Sequence, residues 1–220
     1  MKNLRYKFGI FKNGFTLAEV LITLVIIGVV AALTIPTAIN KKNDHEIVSR
    51  LKKTYSALAQ VTAKIIAEEG SPKNWSYADQ NIYNLYKKHL NNAKECLGAG
   101  CYEQNVMYCL NGSVCNTFDN DYYPDYKLIL ADGTQLIFSR ISSSNHNDCS
   151  LNVYGSTGVC YGIIADVNGM KRPNTRGRDV FIFVLQENGL YPAGCDSGSC
   201  PNNDGFHCTC RVLREGAINY

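Results

Sequence analysis

The sequence has no block of lysine and arginine that could follow a phosphate backbone, so nucleic-acid binding has little electrostatic support. It has no GxSxG, no HExxH and no phosphate-binding glycine loop, and so none of the common signatures of serine hydrolases, zinc proteases or nucleotide enzymes. It has no internal repeat and no low-complexity tract. Its four histidines are scattered. His45 and His89 stand alone on polar stretches and read as solvated, and His146 and Asp148 lie in a Ser/Asn-rich stretch that reads as a loop. A non-enzymatic protein is the expectation. Two further absences are local: the first 14 residues contain no acid, and the first 95 contain no cysteine.

What is present is unevenly distributed. The 220 residues suffice for one ordinary domain plus an appended segment. Residues 1–14, MKNLRYKFGIFKNG, carry Lys2, Arg5, Lys7 and Lys12. Without those four of its 22 basic residues the chain has 18 against 19 acidic, so it is close to neutral. Residues 15–35, FTLAEVLITLVIIGVVAALTI, form an apolar run whose one charge is Glu19. As a helix, that run is about 30 Å long, the hydrocarbon thickness of a bilayer. The basic flank places the N-terminus in the cytoplasm and sends the C-terminal side outward. The run is longer than the apolar core of a secretory signal, and more apolar sequence follows Ala31-Ala32 where a cleaved signal would give way to a polar start. A plain membrane anchor fits the length but leaves Glu19 without a purpose, because a carboxylate in an apolar span is expensive and needs a partner.

GFTLAEVLITLVIIGVVAALTIP closely resembles the N-terminus of type IV prepilins and type II secretion pseudopilins, over about residues 9–40. The shared features are Gly before Phe, Thr-Leu next, Glu fifth from that Phe, and then the unbroken apolar run. The resemblance implies that a membrane prepilin peptidase cuts between Gly14 and Phe15 and methylates Phe15, and that the apolar segment is retained. It also implies an inner-membrane platform protein, an assembly ATPase acting from the cytoplasm, and other pilin-like subunits as partners. Localisation would be the bacterial inner membrane, single-pass with a cytoplasmic N-terminus, with the head periplasmic or extracellular after assembly. In a filament core, Glu19 would pair with the Phe15 ammonium of a neighbouring subunit. A buried charge left alone is penalised, so such a pair favours one axial register. Pro36 lies where many members of that family carry a proline; it either kinks the helix or ends the membrane segment.

Beyond it, Ile39, Ile47, Leu51, Leu58, Val61 and Ile65 recur at helical spacing among charged residues. They predict an amphipathic helix over residues 37–68 that packs on a sheet, stopped by Gly70-Ser71-Pro72. Residues 73–95 predict a shorter helix, and residues 96–125 a stapled loop region. YKLILADGTQLIFSR reads as a hairpin about Asp132-Gly133. CYGIIADVNG and RDVFIFVLQENG read as a second strand pair. The expectation is an α+β, pilin-like fold: a long N-terminal helix, membrane-spanning in its first half, on an antiparallel sheet of about four strands with disulfide-rich loops. Its parts would be a leader (1–14), a transmembrane or filament-core helix (15–36), the amphipathic half of the spine (37–70) and a cysteine-rich head (71–220).

Cysteines lie at Cys96, Cys101, Cys109, Cys115, Cys149, Cys160, Cys195, Cys200, Cys208 and Cys210. In an exported head they read as disulfides. Near pairs such as 96/101, 109/115, 149/160 and 195/200 are plausible, but the connectivity stays open. A zinc ribbon over CDSGSCPNNDGFHCTC, with His207, fits poorly with the usual CxxC knuckles. DVNGMKRPNTRGRDVF resembles the loop between late strands of pseudopilin-like proteins, some of which hold calcium there. Asp166, Asn168, Asn174 and Asp179 offer oxygen ligands of the kind calcium takes. The competing reading is purely local: Asn168-Gly169 makes a turn and Asn174 caps the loop. Lys171, Arg172, Arg176 and Arg178 would repel a cation unless they point away. Within the pilin-like class, this loop leans the reading toward a secretion pseudopilin. The disulfide-rich head leans it back toward a type IV pilus or DNA-uptake pilin. A membrane-anchored extracytoplasmic binding protein that never polymerises is the rival from another class.

Overall fold

The computed structural model describes residues 14–76, 79–90, 94–96, 106–117, 126–139, 149–169, 171–196 and 200–220. The chain forms two compact units, Met1–Lys42 and Asn43–Tyr220. One helix, α1 (Leu17–Glu69), runs through both, with Pro36 inside it.

In the first unit α1 presents apolar side chains all round. Leu21, Leu24, Ile27, Val30 and Leu33 are all exposed, so this stretch has no core of its own. Its polar side chains turn inward on the helix: Thr23 donates to the Val20 carbonyl and Thr34 to the Val30 carbonyl, each at 2.9 Å. That is how hydroxyls are satisfied where no water competes.

In the second unit α1 becomes one-sided. Ile47, Leu51, Thr54, Leu58, Thr62 and Ile65 are buried, at spacings of three and four that make a single stripe. Ile39, expected in that stripe, is instead 52% exposed and belongs to the first unit. Gly70 ends the helix in the left-handed conformation (φ 81°), its N–H donating to the Ile66 carbonyl at 2.9 Å. The expected second helix over 73–95 is shorter than predicted. A 3-10 turn (Pro72–Asn74) precedes α2 (Asp79–His89), whose Lys87, Lys88 and His89 complement the helix dipole at its end. Lys94–Cys96 leave the helix to form strand β1.

The remaining strands are β2 (Val106–Tyr108), β3 (Val114–Thr117), β4 (Lys127–Ile129), β5 (Gln135–Ser139), β6 (Leu151–Val153), β7 (Ser156–Asp166), β8 (Val180–Gln186) and β9 (Gly189–Pro192). The main sheet runs β1-β4-β5-β7-β8-β9, with β6 also paired to β7, and every pairing is antiparallel. The four anticipated strands β4, β5, β7 and β8 are its centre; three short strands widen it to seven. β2 and β3 form a separate hairpin.

The sheet is covered on both faces. Phe181, Phe183 and Leu185 face α1 and α2, joining Leu51, Leu58, Ile82 and Tyr86. Val180, Ile182 and Val184 face the other way, onto Met107, Ala193 and Phe206. A strand buried on both sides loses its alternation, which explains the unbroken apolar run VFIFVL. The second cover is made by β2 and by Phe206 of a 3-10 turn (Phe206–Cys208); that turn leads into α3 (Thr209–Glu215), whose Val212 joins the core under α1.

Candidate functional site

Two regions carry candidate chemistry. At the start of α1, the Thr16 N–H and hydroxyl both donate to the Glu19 carboxylate at 2.8 Å, and the Glu19 N–H donates to the Thr16 hydroxyl at 3.3 Å. This is a capping box, in which two helix-start donors are satisfied reciprocally. Glu19 therefore has a partner within its own chain. Sequence reasoning assigned Glu19 to a neighbouring subunit and passed over Thr16, although T-x-x-E before an apolar run is a legible signal. Gly14 and Phe15 lie just ahead of the helix, both exposed, with open space around Gly14. Pro36 lies inside the helix, which continues past it while the sequence turns polar from Asn40.

The second region is the connection from β7 to β8. The structure brings Asp166, Asn168, Asn174 and Asp179 together. Asp179 is fully buried and acts as a hub: its carboxylate accepts from the Thr175 N–H (2.6 Å), the Asn174 N–H (2.7 Å) and the Asn168 amide (3.1 Å). Asp166, also buried, accepts from the Asn168 N–H at 3.3 Å. Asn174 adopts positive φ (52°), a conformation asparagine tolerates well, and its carbonyl accepts from the Tyr108 N–H at 2.9 Å. Burial pushes the Asp179 carboxyl up to about 6, against the opposing pull of the Thr175 and Asn174 N–H groups. Burial, and then the charge of Asp179, push Asp166 well above the usual carboxylate range. In the same loop, the side-chain oxygens of Asn168 and Asn174 are buried with no hydrogen-bond partner among the described residues. Orphaned buried acceptors are rare and call for an explanation.

The four basic residues of this stretch are directed elsewhere. Lys171 and the Arg172 side chain are exposed. Arg176 lies over the Phe206 ring, 4.0 Å from its centroid, and donates to the Met107 sulfur at 3.0 Å. Arg178 donates to the Tyr220 carbonyl at 3.4 Å. The donor set is thus two carboxylates and two amide oxygens without a cationic side chain among them. All-oxygen sets are of the kind calcium takes, although here the Asp179 carboxylate already accepts from N–H groups of its own loop. Among the described residues no three His, Cys, Asp or Glu side chains gather, so the set depends on the asparagines.

The disulfides are Cys109–Cys115, Cys149–Cys160, Cys195–Cys210 and Cys200–Cys208. The expected neighbour pair 195/200 is corrected. The Cys210 N–H donates to the Ala193 carbonyl at 3.0 Å, which brings Cys210 rather than Cys200 against Cys195. With all four of these cysteines oxidised, the zinc reading of this stretch falls. Cys101, His146 and Asp148 lie outside the described residues, as does any pairing of Cys96 with Cys101. His89, read as solvated, is instead half-buried: its side chain is 5% exposed and its Nε2 lies 3.2 Å from Glu68.

No curated protein and no solved structure matches the chain. A family profile described as the prokaryotic N-terminal methylation motif matches residues 11–35. Together with the apolar helix that follows Gly14-Phe15, this motif marks the chain as consistent with the type IV prepilin- and pseudopilin-like proteins, anchored in a membrane by its N-terminus.

Proposed function

We propose that the chain is a structural subunit of a type IV pilin-like filament and, more finely, a pseudopilin of a type II secretion system. The carrying observation is the first half of α1, apolar on every side and exposed, with Glu19 in its first turn as its one charge until the basic residues after Pro36. A helix apolar all round needs lipid or other helices around it. In this reading residues 1–14 are the leader, a prepilin peptidase cuts before Phe15 and methylates it, and residues 15–36 pass from the inner membrane into the filament core. The head stands in the periplasm, and the platform protein and assembly ATPase act on the membrane side. The disulfide-rich head favours a second reading, a pilus or DNA-uptake pilin exposed at the cell surface. Removing the protein from its cell separates the two. A pseudopilin predicts exported proteins retained in the periplasm with surface fibres intact; lost fibres or lost DNA uptake with normal secretion would reverse the choice. A non-polymerising anchored binding protein predicts no cross-linked ladder of subunits in native membranes.

Calcium belongs to the same reading. Asp166, Asn168, Asn174 and Asp179 would hold it, and the ion would offset the burial that disfavours charge on the two carboxylates. Calcium is expected to raise the melting temperature of the full chain, and Asp179→Asn to remove that response. An unchanged melting curve in chelator would refute the ion and leave Asp179 as a purely local hub.

A further inference from the structure

The turn that carries Asn174 and Asp179 is held from outside by residues far along the chain. On one side, the Arg176 N–H donates to the Tyr108 carbonyl at 2.9 Å, so β2 backs the turn. On the other side lies the C-terminal segment. Gly177 (φ 82°) faces Gly205 (φ 87°) so closely that neither has room for a side chain. A Cβ on Gly177 would lie 2.9 Å from the Gly205 carbonyl oxygen and 3.4 Å from the Cys208 Cβ. One on Gly205 would lie 2.3 Å from the Arg176 carbonyl oxygen. Arg176 is buried, its guanidinium lying over Phe206 with Asp204 at 3.8 Å. The Tyr220 hydroxyl donates to the Gly177 carbonyl. The contacts on residues 176–178 from this side include Asp204, Gly205, Phe206, Cys208 and Tyr220. That segment also packs on the sheet, Phe206 against Ile182 and Val184 on one face and Val212 in the core under α1, with the Ile182 N–H donating to the Thr209 hydroxyl at 3.1 Å. It is closed on itself by Cys200–Cys208 and tied back to the end of β9 by Cys195–Cys210.

We propose that these two disulfides form an oxidation-dependent clamp that holds the 174–179 turn in shape. The clamp rests on geometry alone. Its consequence, that oxidation tunes cation affinity, rests on the calcium reading above. Each bond forms by exchange with a disulfide-bearing oxidant. One cysteine thiolate attacks it, giving a mixed disulfide, and the second thiolate resolves this. The chain gives up two electrons and two protons per bond, and the oxidant leaves as a dithiol. In the reduced chain the segment 200–210 has lost the closures that limit its disorder. The Gly177–Gly205 contact then opens, and the Asp179 hub loses its backing. A head held in a reducing compartment keeps this loop open; one that reaches an oxidising compartment closes it.

Amide hydrogen exchange on the full chain in detergent tests this. In the Cys200→Ser/Cys208→Ser double variant, the Arg176 and Gly177 amides are expected to exchange about tenfold faster, or more, while the amides of β7 and β8 keep their rates. Unchanged rates at 176 and 177 overturn the clamp, and so does an equal rise across β7 and β8, since neither is local. If the double variant does not fold, Gly205→Ala serves instead. It keeps every cysteine and drives the same two segments apart, and the same two amides must speed up; protected amides there overturn the clamp. Repeating the wild-type and variant runs in calcium and in chelator separates the two readings. Faster exchange in the variant under both conditions supports the clamp. Absence of calcium protection at 166–179 in the wild type removes the cation site without touching it.

Discussion

The two halves of α1 are opposite solutions to one problem. The half in the first unit is apolar on every side and, among the described residues, leaves its large apolar side chains exposed. The half in the second unit shows one stripe and buries it completely, with Leu51, Leu58 and Ile65 at 0% exposure. A helix that buries its own face is finished when the chain folds. A helix that does not is finished only by something outside it. The contrast extends to polar groups. In the head, the Thr62 hydroxyl shares a 2.6 Å hydrogen bond with the Tyr86 hydroxyl of α2. Among the described residues before Lys41, every side-chain hydrogen bond closes within four residues.

The sharpest break in that comparison is at Gly14. If the first half is completed by assembly, it must first be processed. Gly14→Val is expected to leave the precursor uncut, read as an intact mass that still includes residues 1–14, with the head folded as before. A chain cut as usual would show that Gly14 is not the processing site. Next comes Glu19, where the capping box offers a discrimination that Ala alone does not. Gln keeps a capping-box partner for Thr16 but loses the charge. If Glu19 acts through its charge on a neighbouring subunit, Glu19→Gln and Glu19→Ala both abolish cross-linked filaments. If it acts by capping its own helix, Glu19→Gln assembles and Thr16→Ala is impaired alongside Glu19→Ala. Membrane insertion is expected to survive all three.

A third test compares the halves directly. Leu58→Ala removes a fully buried side chain from the head, and truncations of this kind cost about 2–5 kcal/mol. Leu24→Ala removes one that touches no core of its chain. Urea unfolding of the full chain in detergent, followed by near-ultraviolet circular dichroism, should show the first shift and no second. Equal shifts would mean that the N-terminal half contributes to the fold of the head.

Much of this contrast was legible in the residues. The stripe Ile47, Leu51, Leu58 and Ile65 has helical spacing, and Asp132-Gly133 names the β4–β5 turn. That turn forms with the Thr134 N–H donating to the Asp132 carboxylate at 3.1 Å. What stayed hidden has physical causes. β1, β6 and β9 have three or four residues each, too few to show a period of two. β8 is apolar on both faces, so its sequence announces burial without naming the second cover. The 109/115 and 149/160 pairs were legible from nearness in sequence, but the partners of Cys195 and Cys200 depend on a backbone bond between Cys210 and Ala193 that no spacing rule contains. In the β7–β8 connection, residue types alone proposed Asp166, Asn168, Asn174 and Asp179. The orphaned oxygens of the two asparagines and the outward turn of Arg176 and Arg178 are tertiary facts.

The smallest expected effect is at the ion pair between α1 and the β4–β5 turn. Lys53 Nζ lies 2.8 Å from Asp132 Oδ2. Burial opposes ionisation of Asp132, but the Lys53 ammonium and the Thr134 N–H and hydroxyl outweigh it, so its carboxyl sits below the ordinary value of 3.8. The sign follows from linkage: a carboxyl with a depressed folded-state value stabilises the fold above its unfolded value and loses that contribution as pH falls through the folded one. Asp132 therefore contributes at neutral pH and stops contributing below 3.8. Both side chains are partly solvated, so water and salt screen the pair, and its worth is about 0.2–1 kcal/mol. Asp132→Asn is expected to lower head stability by that amount at pH 7 and to converge with the wild type under acid conditions. High salt should shrink the difference at pH 7. A difference that persists unchanged in acid would assign the effect to the Thr134 turn contact, which an asparagine carbonyl can imitate only in part, and not to the charge on Lys53.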